Sequence, residues 1–112
     1  MLVSPERFAD LVAEALDGIP DEFARYLENV SVVVEDEPDE DGLYGLYQGV
    51  PLSERAHDFA AALPDRISIY RGPLVRDFRS RAQIRRQIRL TVVHEIAHFF
   101  GLDERRIRRL GY

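Results

Sequence analysis

The sequence predicts an α+β fold: a small mixed sheet held between N-terminal helices and one long C-terminal helix. Three observations predict it. Apolar residues recur at helical spacing near the start, short β-branched or alternating stretches occupy the middle, and Ser80 to Phe100 hold the longest uninterrupted helical pattern.

The first helix begins at Ser4, an N-cap residue followed by Pro5 at the first helical position. Phe8, Leu11, Val12, Ala15 and Leu16 form its apolar stripe, and Gly18 and Pro20 stop it. Asp21 is placed to cap a short second helix carrying Phe23, Tyr26 and Leu27. Val30 to Val34 reads as a β-branched strand running into EDEPDEDG, where six acids in eight residues make an exposed loop. Those acids lack the spacing of a calcium loop, and Pro38 interrupts them.

Leu43 to Gln48 reads as a second strand, ended by Gly49 and Pro51. Residues 53 to 63, around His57, fit either a short helix or a loop. After the turn signal Pro64–Asp65, Arg66 to Tyr70 alternates as a half-buried or edge strand does, and Gly72 and Pro73 close it. The long helix from Ser80 to Phe100 becomes apolar almost all round toward its end, the mark of a buried helix. Gly101 stops it, and Asp103 is placed to cap a last helical turn or two.

A chain of 112 residues, 46% hydrophobic and 31% charged, is expected to fold as one domain over residues 1–112. There is no cysteine, so a transition metal would have to be held by His, Asp, Glu and water. No secretory signal and no apolar run long enough for a bilayer is found, so the expected location is the cytoplasm and no membrane partner is expected. The net charge of −5 divides unevenly: residues 1–65 sum to −13 and residues 66–112 to +8, so the two halves should attract. All 15 basic residues are arginine.

The chemistry lies in HEIAH, within the long helix. His94 and His98, four residues apart, project both imidazoles from one helix face and can grip a single ion. Glu95, one residue after the first of them, is placed to take a proton from a water at the open coordination site and return it to the leaving amine. A buried stretch that carries all three is costly unless a metal or partner satisfies them. A third ligand is still needed, and two acids follow Gly101. If the chain turns at Gly101 as in HExxHxxGxxH metalloproteases, the third residue after the glycine, Glu104, takes that place; Asp103 is the alternative, with a rival role as helix cap. His57 is the one remaining histidine.

RLTVVHEIAHFFGLDERRIRRLGY, with YGLYQGVPLSER and LPDRISIYRGPL, resembles the bacterial family of very short zincin-like metallopeptidases. The resemblance spans nearly the whole chain. It implies a compact zincin-like fold in which a small mixed sheet packs on the active-site helix, with His94, Glu95 and His98 in their motif roles and an acid after Gly101 as further ligand.

The expected function is therefore a zinc metallopeptidase acting on a peptide or protein substrate, with Zn2+ on His94, His98 and Glu104 and Glu95 as general base. Ile67 to Tyr70 could receive an extended peptide by strand addition if it is an edge strand, or could fill the sheet as an interior one. Tyr70 or Tyr112 could donate a hydrogen bond to the oxyanion. One rival keeps the metal but turns the Arg-rich half toward nucleic acid or a phosphoester, although a nucleic-acid partner is not expected, since the arginines surround a helix whose solvated side needs charge anyway. Another is a non-catalytic metal-binding interaction domain, for which Glu95 would have no use.

Overall fold

The computed structural model describes residues 3–54 and 65–112. His57, and most of the ambiguous stretch around it, lie outside the described residues. Helix α1 spans Pro5–Asp17, with the Ser4 side chain accepting from the Arg7 N–H at 3.1 Å. Its buried residues, Phe8, Leu11 and Val12, belong to the expected stripe. Helix α2 covers Asp21–Ala24 and tightens into a 3₁₀ turn, Arg25–Leu27. Asp21 lies inside its first turn; Pro20 holds the N-cap position, with no side-chain cap bond.

Strands β1 (Val30–Glu35), β2 (Gly45–Gln48) and β3 (Asp65–Tyr70) form one mixed sheet in the order β1-β3-β2. β3 runs parallel to β1, with Val32 opposite Ile67, and antiparallel to β2, with Gly45 opposite Ile69. Arg66–Tyr70 is therefore the central strand, and the edge-strand reading of that segment does not hold. Its burial says the same: Ile67, Ser68, Ile69 and Tyr70 are all buried, as in a strand covered on both faces. The exposed Arg66 had imitated the alternation of an edge strand.

The chain leaves β3 directly into α3 (Arg71–Asp77), a helix that the Gly-Pro pair conceals in the sequence. Pro73 stands in its first turn, where a missing N–H breaks no intrahelical bond, and the next residue, Leu74, is fully buried. Helix α4 runs Arg81–Phe99 from a capping box: Ser80 Oγ accepts from Gln83 N–H at 3.1 Å, while Gln83 Oε1 accepts from Ser80 N–H at 3.3 Å. Ile84, Ile88, Val92 and Ile96 make a stripe at four-residue intervals. It packs with Phe8, Leu11 and Val12 of α1, Ile67 and Ile69 of β3, and Leu74. Among the described residues no helix is long and apolar enough to cross a membrane.

The two oppositely charged halves are joined by ion pairs. Arg66 pairs with Glu35, Arg85 with Glu14, Arg76 with Glu37 at 2.8 Å and Arg71 with Asp36 at 3.8 Å. The acidic loop is thus docked at its start: the Asp36 carbonyl also accepts from the Gly72 N–H at 2.8 Å.

Two substitutions test this account. Ile88→Ala, at a fully buried position, should lower unfolding stability by about 2–5 kcal/mol in urea titration. Ser80→Ala should cost about 1 kcal/mol by loss of the cap alone. A core that tolerates Ile88→Ala without a shift in midpoint would refute the packing described.

Candidate metal centre

One face of α4 faces the core; the face carrying Thr91, His94, Glu95 and His98 lines a cleft of about 680 Å³. Residues 42–47, including the first three of β2, line the same cleft, as do Gly101, Leu102, Glu104 and Arg108. His94 and His98 place their ring centroids 5.0 Å apart, one helical turn separating them. Both rings are half-buried.

The turn at Gly101 brings the next helix back onto these rings. Gly101 has φ +99°, a left-handed conformation that suits glycine, and its N–H donates to the His98 carbonyl at 2.9 Å. A side chain there would also strike Ser53. Asp103 then caps α5 (Glu104–Arg109), its Oδ1 accepting from the Arg106 N–H at 2.8 Å. Glu104 starts that helix, and its Oε1 lies 2.9 Å from His94 Nε2 and 2.6 Å from His98 Nε2. The structure therefore brings Glu104 to the imidazoles and engages Asp103 as the cap. Ile107, buried on the inner face of α5, fixes the helix in this position.

His94 is also held from behind. Its Nδ1 lies 3.2 Å from the main-chain oxygen of Tyr112, an acceptor only, so Nδ1 carries the hydrogen. The Nε2 atom is left to face Glu104. Burial acts to lower the His94 pKa, but the hydrogen bonds to Glu104 and Tyr112 and the charges of Glu95 and Glu104 outweigh it and raise the imidazole above its ordinary value. On Glu104, burial acts upward, and the bonds and charges of the two histidines overcome it and hold the carboxyl below its ordinary value.

Glu95 is of a different kind, only 7% exposed. Burial raises its carboxyl above the usual range, against the opposing pull of His94, His98 and the Tyr47 main-chain N–H, which donates to it. Tyr47 can make that bond because of its place in the ladder. The Tyr70 N–H donates to the Tyr44 carbonyl at 2.8 Å, so by antiparallel alternation Tyr44, Leu46 and Gln48 bond toward β3, while Gly45 and Tyr47 point their main-chain groups away from it.

Gly45 is what lets β2 come this close. A Cβ there would stand 2.7 Å from Thr91 Cγ2 and 3.1 Å from Glu95 Cγ. Sequence reading passed over Gly45; a glycine inside a strand pattern is the signal of close backbone approach that could have found it. Neither Tyr70 nor Tyr112, the two tyrosines considered as oxyanion donors, is among the residues that line this cleft. Tyr44 and Tyr47 do border it, and Tyr44 donates its hydroxyl to Asp77 at 2.6 Å.

A long helix bearing HEIAH, packed on a small mixed sheet with a strand edge beside it, defines a zincin-like architecture. The chain belongs to the zincin-like metallopeptidase family, whose model matches residues 27–112. Among solved structures it is similar to a conserved hypothetical protein from Thermo thermophilus, at 26% identity and a TM-score of 0.58, covering 85% of this chain and 92% of that one. No curated protein matches it.

The family implies a metal, and the donors present fit one. Two imidazole nitrogens and a carboxylate oxygen lie within 4.8 Å of one another, a donor set of the kind that can hold a transition metal.

The contact at Gly45 yields a test. Gly45→Ala should lower stability by about 1–3 kcal/mol through overpacking against Thr91. Thr91→Ala in the same chain should restore part of the loss, measured as a non-additive double-mutant cycle. Strict additivity would refute the contact.

Proposed function

We propose that the protein is a zinc-dependent peptidase whose ion is held by His94, His98 and Glu104 and whose general base is Glu95. The observation that carries this reading is the convergence of His94 Nε2, His98 Nε2 and Glu104 Oε1 beside a buried carboxylate on the same helix. Membership of a peptidase-like family supports a protein or peptide as substrate. When bound, zinc supplies Lewis acidity, polarising the scissile carbonyl and easing deprotonation of a water at neutral pH.

The remaining work belongs to the chain. Glu95, oriented by the Tyr47 N–H, takes the water proton and delivers it to the leaving amine nitrogen. The Tyr112 oxygen holds His94 in the tautomer whose Nε2 is available as a donor. The outward main-chain groups of Gly45 on β2 offer an extended substrate a place to add as a further strand, the role considered above for Ile67–Tyr70. The cleft, about 680 Å³, suits a short or flexible peptide.

Metal analysis and turnover of the same variants test this. Glu95→Gln should retain zinc and lose at least about a hundredfold in turnover, the usual scale of a general base. His94→Ala and Glu104→Ala should lose the metal, and a chelator should abolish the activity of the wild type reversibly. Equal metal content in wild type, His94→Ala and Glu104→Ala would sink the site; full turnover by Glu95→Gln would sink the mechanism.

A further inference from the structure

Arg108 lies one turn after Glu104 on α5, so the two side chains share a helix face, and both line the cleft that holds Glu95. Some arginines of the chain are taken up by acids: Arg66, Arg76 and Arg85 are paired with Glu35, Glu37 and Glu14. Arg108 has no such partner among the described residues. Its nearest helical candidate, Glu104, is engaged by two imidazoles through Oε1, and the other acid of the cleft, Glu95, is buried and bonded to the Tyr47 N–H. The cleft thus presents an exposed guanidinium that is open to a carboxylate from a bound ligand.

Its position decides what kind of charge that is. The reacting carbonyl has to lie over Glu95, at the buried floor, whereas Arg108 is exposed at the wall. A group at the wall meets the flank of a bound peptide. There a planar fork of N–H donors matches a carboxylate through two parallel hydrogen bonds.

We propose that Arg108 is the specificity-determining residue of this cleft, receiving a carboxylate of the substrate so that bonds flanking a carboxylate are selected. This rests on the peptidase reading of the cleft. The carboxylate has two possible sources, an acidic side chain or a free C-terminus, and both use the same fork.

The test uses acetylated peptides that differ in one group: a free C-terminal acid against its amide, and, in amidated peptides, Glu against Gln. Cleavage (kcat/KM) is measured on zinc-loaded wild type, and dissociation constants on zinc-loaded Glu95→Gln, each with and without Arg108→Ala. At least one carboxylate form should be preferred by about two- to fivefold, the scale of an exposed ion pair. Arg108→Ala should reduce that ratio to near one, while Arg105→Ala, on the same helix but outside this cleft, should keep it. Preference in the first pair assigns a C-terminal carboxylate; preference in the second assigns an acidic side chain. No preference in either pair, an unchanged ratio in Arg108→Ala, or an equal fall for all four peptides would overturn the proposal. If no peptide is cleaved, the peptidase reading fails, and the binding ratios still judge Arg108.

Discussion

The contact on which the site depends is between Gly45 of β2 and the turn of α4 that carries Thr91 and Glu95. A helix and a sheet edge normally stand apart by the thickness of their side chains, and here one of those side chains is missing. The strand therefore approaches until a main-chain N–H reaches a buried carboxylate, and the same approach sets the β2 edge along one wall of the cleft. A carboxylate placed this deep would be costly without a donor. The capping box at Ser80 and the four-residue stripe of Ile84, Ile88, Val92 and Ile96 fix where along its axis and on which face α4 presents that residue.

The parts of this arrangement that rest on local pattern were legible in the sequence. The α+β class, α1 with its Ser4 cap, the three strands and the long helix all follow from periodicity and capping residues. What escaped is non-local. Arg66 gave the central strand the alternation of an edge strand, because pattern reports burial and not which neighbours a strand has. Gly72 and Pro73 read as a stop although proline in a first turn is harmless, so α3 went unseen. The spacing after Gly101 ranked Glu104 ahead of Asp103; what spacing does not contain is the cap bond to the Arg106 N–H, which turns the Asp103 carboxylate away from the imidazoles. The hold of Tyr112 on His94 passes through a main-chain oxygen, and no side-chain motif encodes it.

The charge asymmetry has a structural outlet. Exposed ion pairs are individually worth little, commonly under about 1 kcal/mol. Here they share a direction: each joins an arginine of the second half to an acid of the first. Pairs of this kind favour the registry that brings β1 beside β3 and α1 beside α4 over alternatives that place like charges together. They also consume arginines that a nucleic-acid platform would need, and three of the four are spent at or near the acidic loop. That leaves Arg108 distinct less for its charge than for its position.

Helix α5 links the stability of the molecule to its chemistry. Six residues are too few to form a stable helix alone, so α5 persists through the Asp103 cap and the burial of Ile107. Yet it is α5 that supplies Glu104 to the imidazoles, and the segment after it that supplies the Tyr112 oxygen to His94. A cation bound by both helices would therefore act on folding as well as on reaction, because it ties the weakest element of the site to the strongest. By the same linkage, loosening the packing of Ile107 would draw the Glu104 carboxylate away from the two imidazoles, so one buried isoleucine bears on the geometry of the three side chains that converge at this cleft.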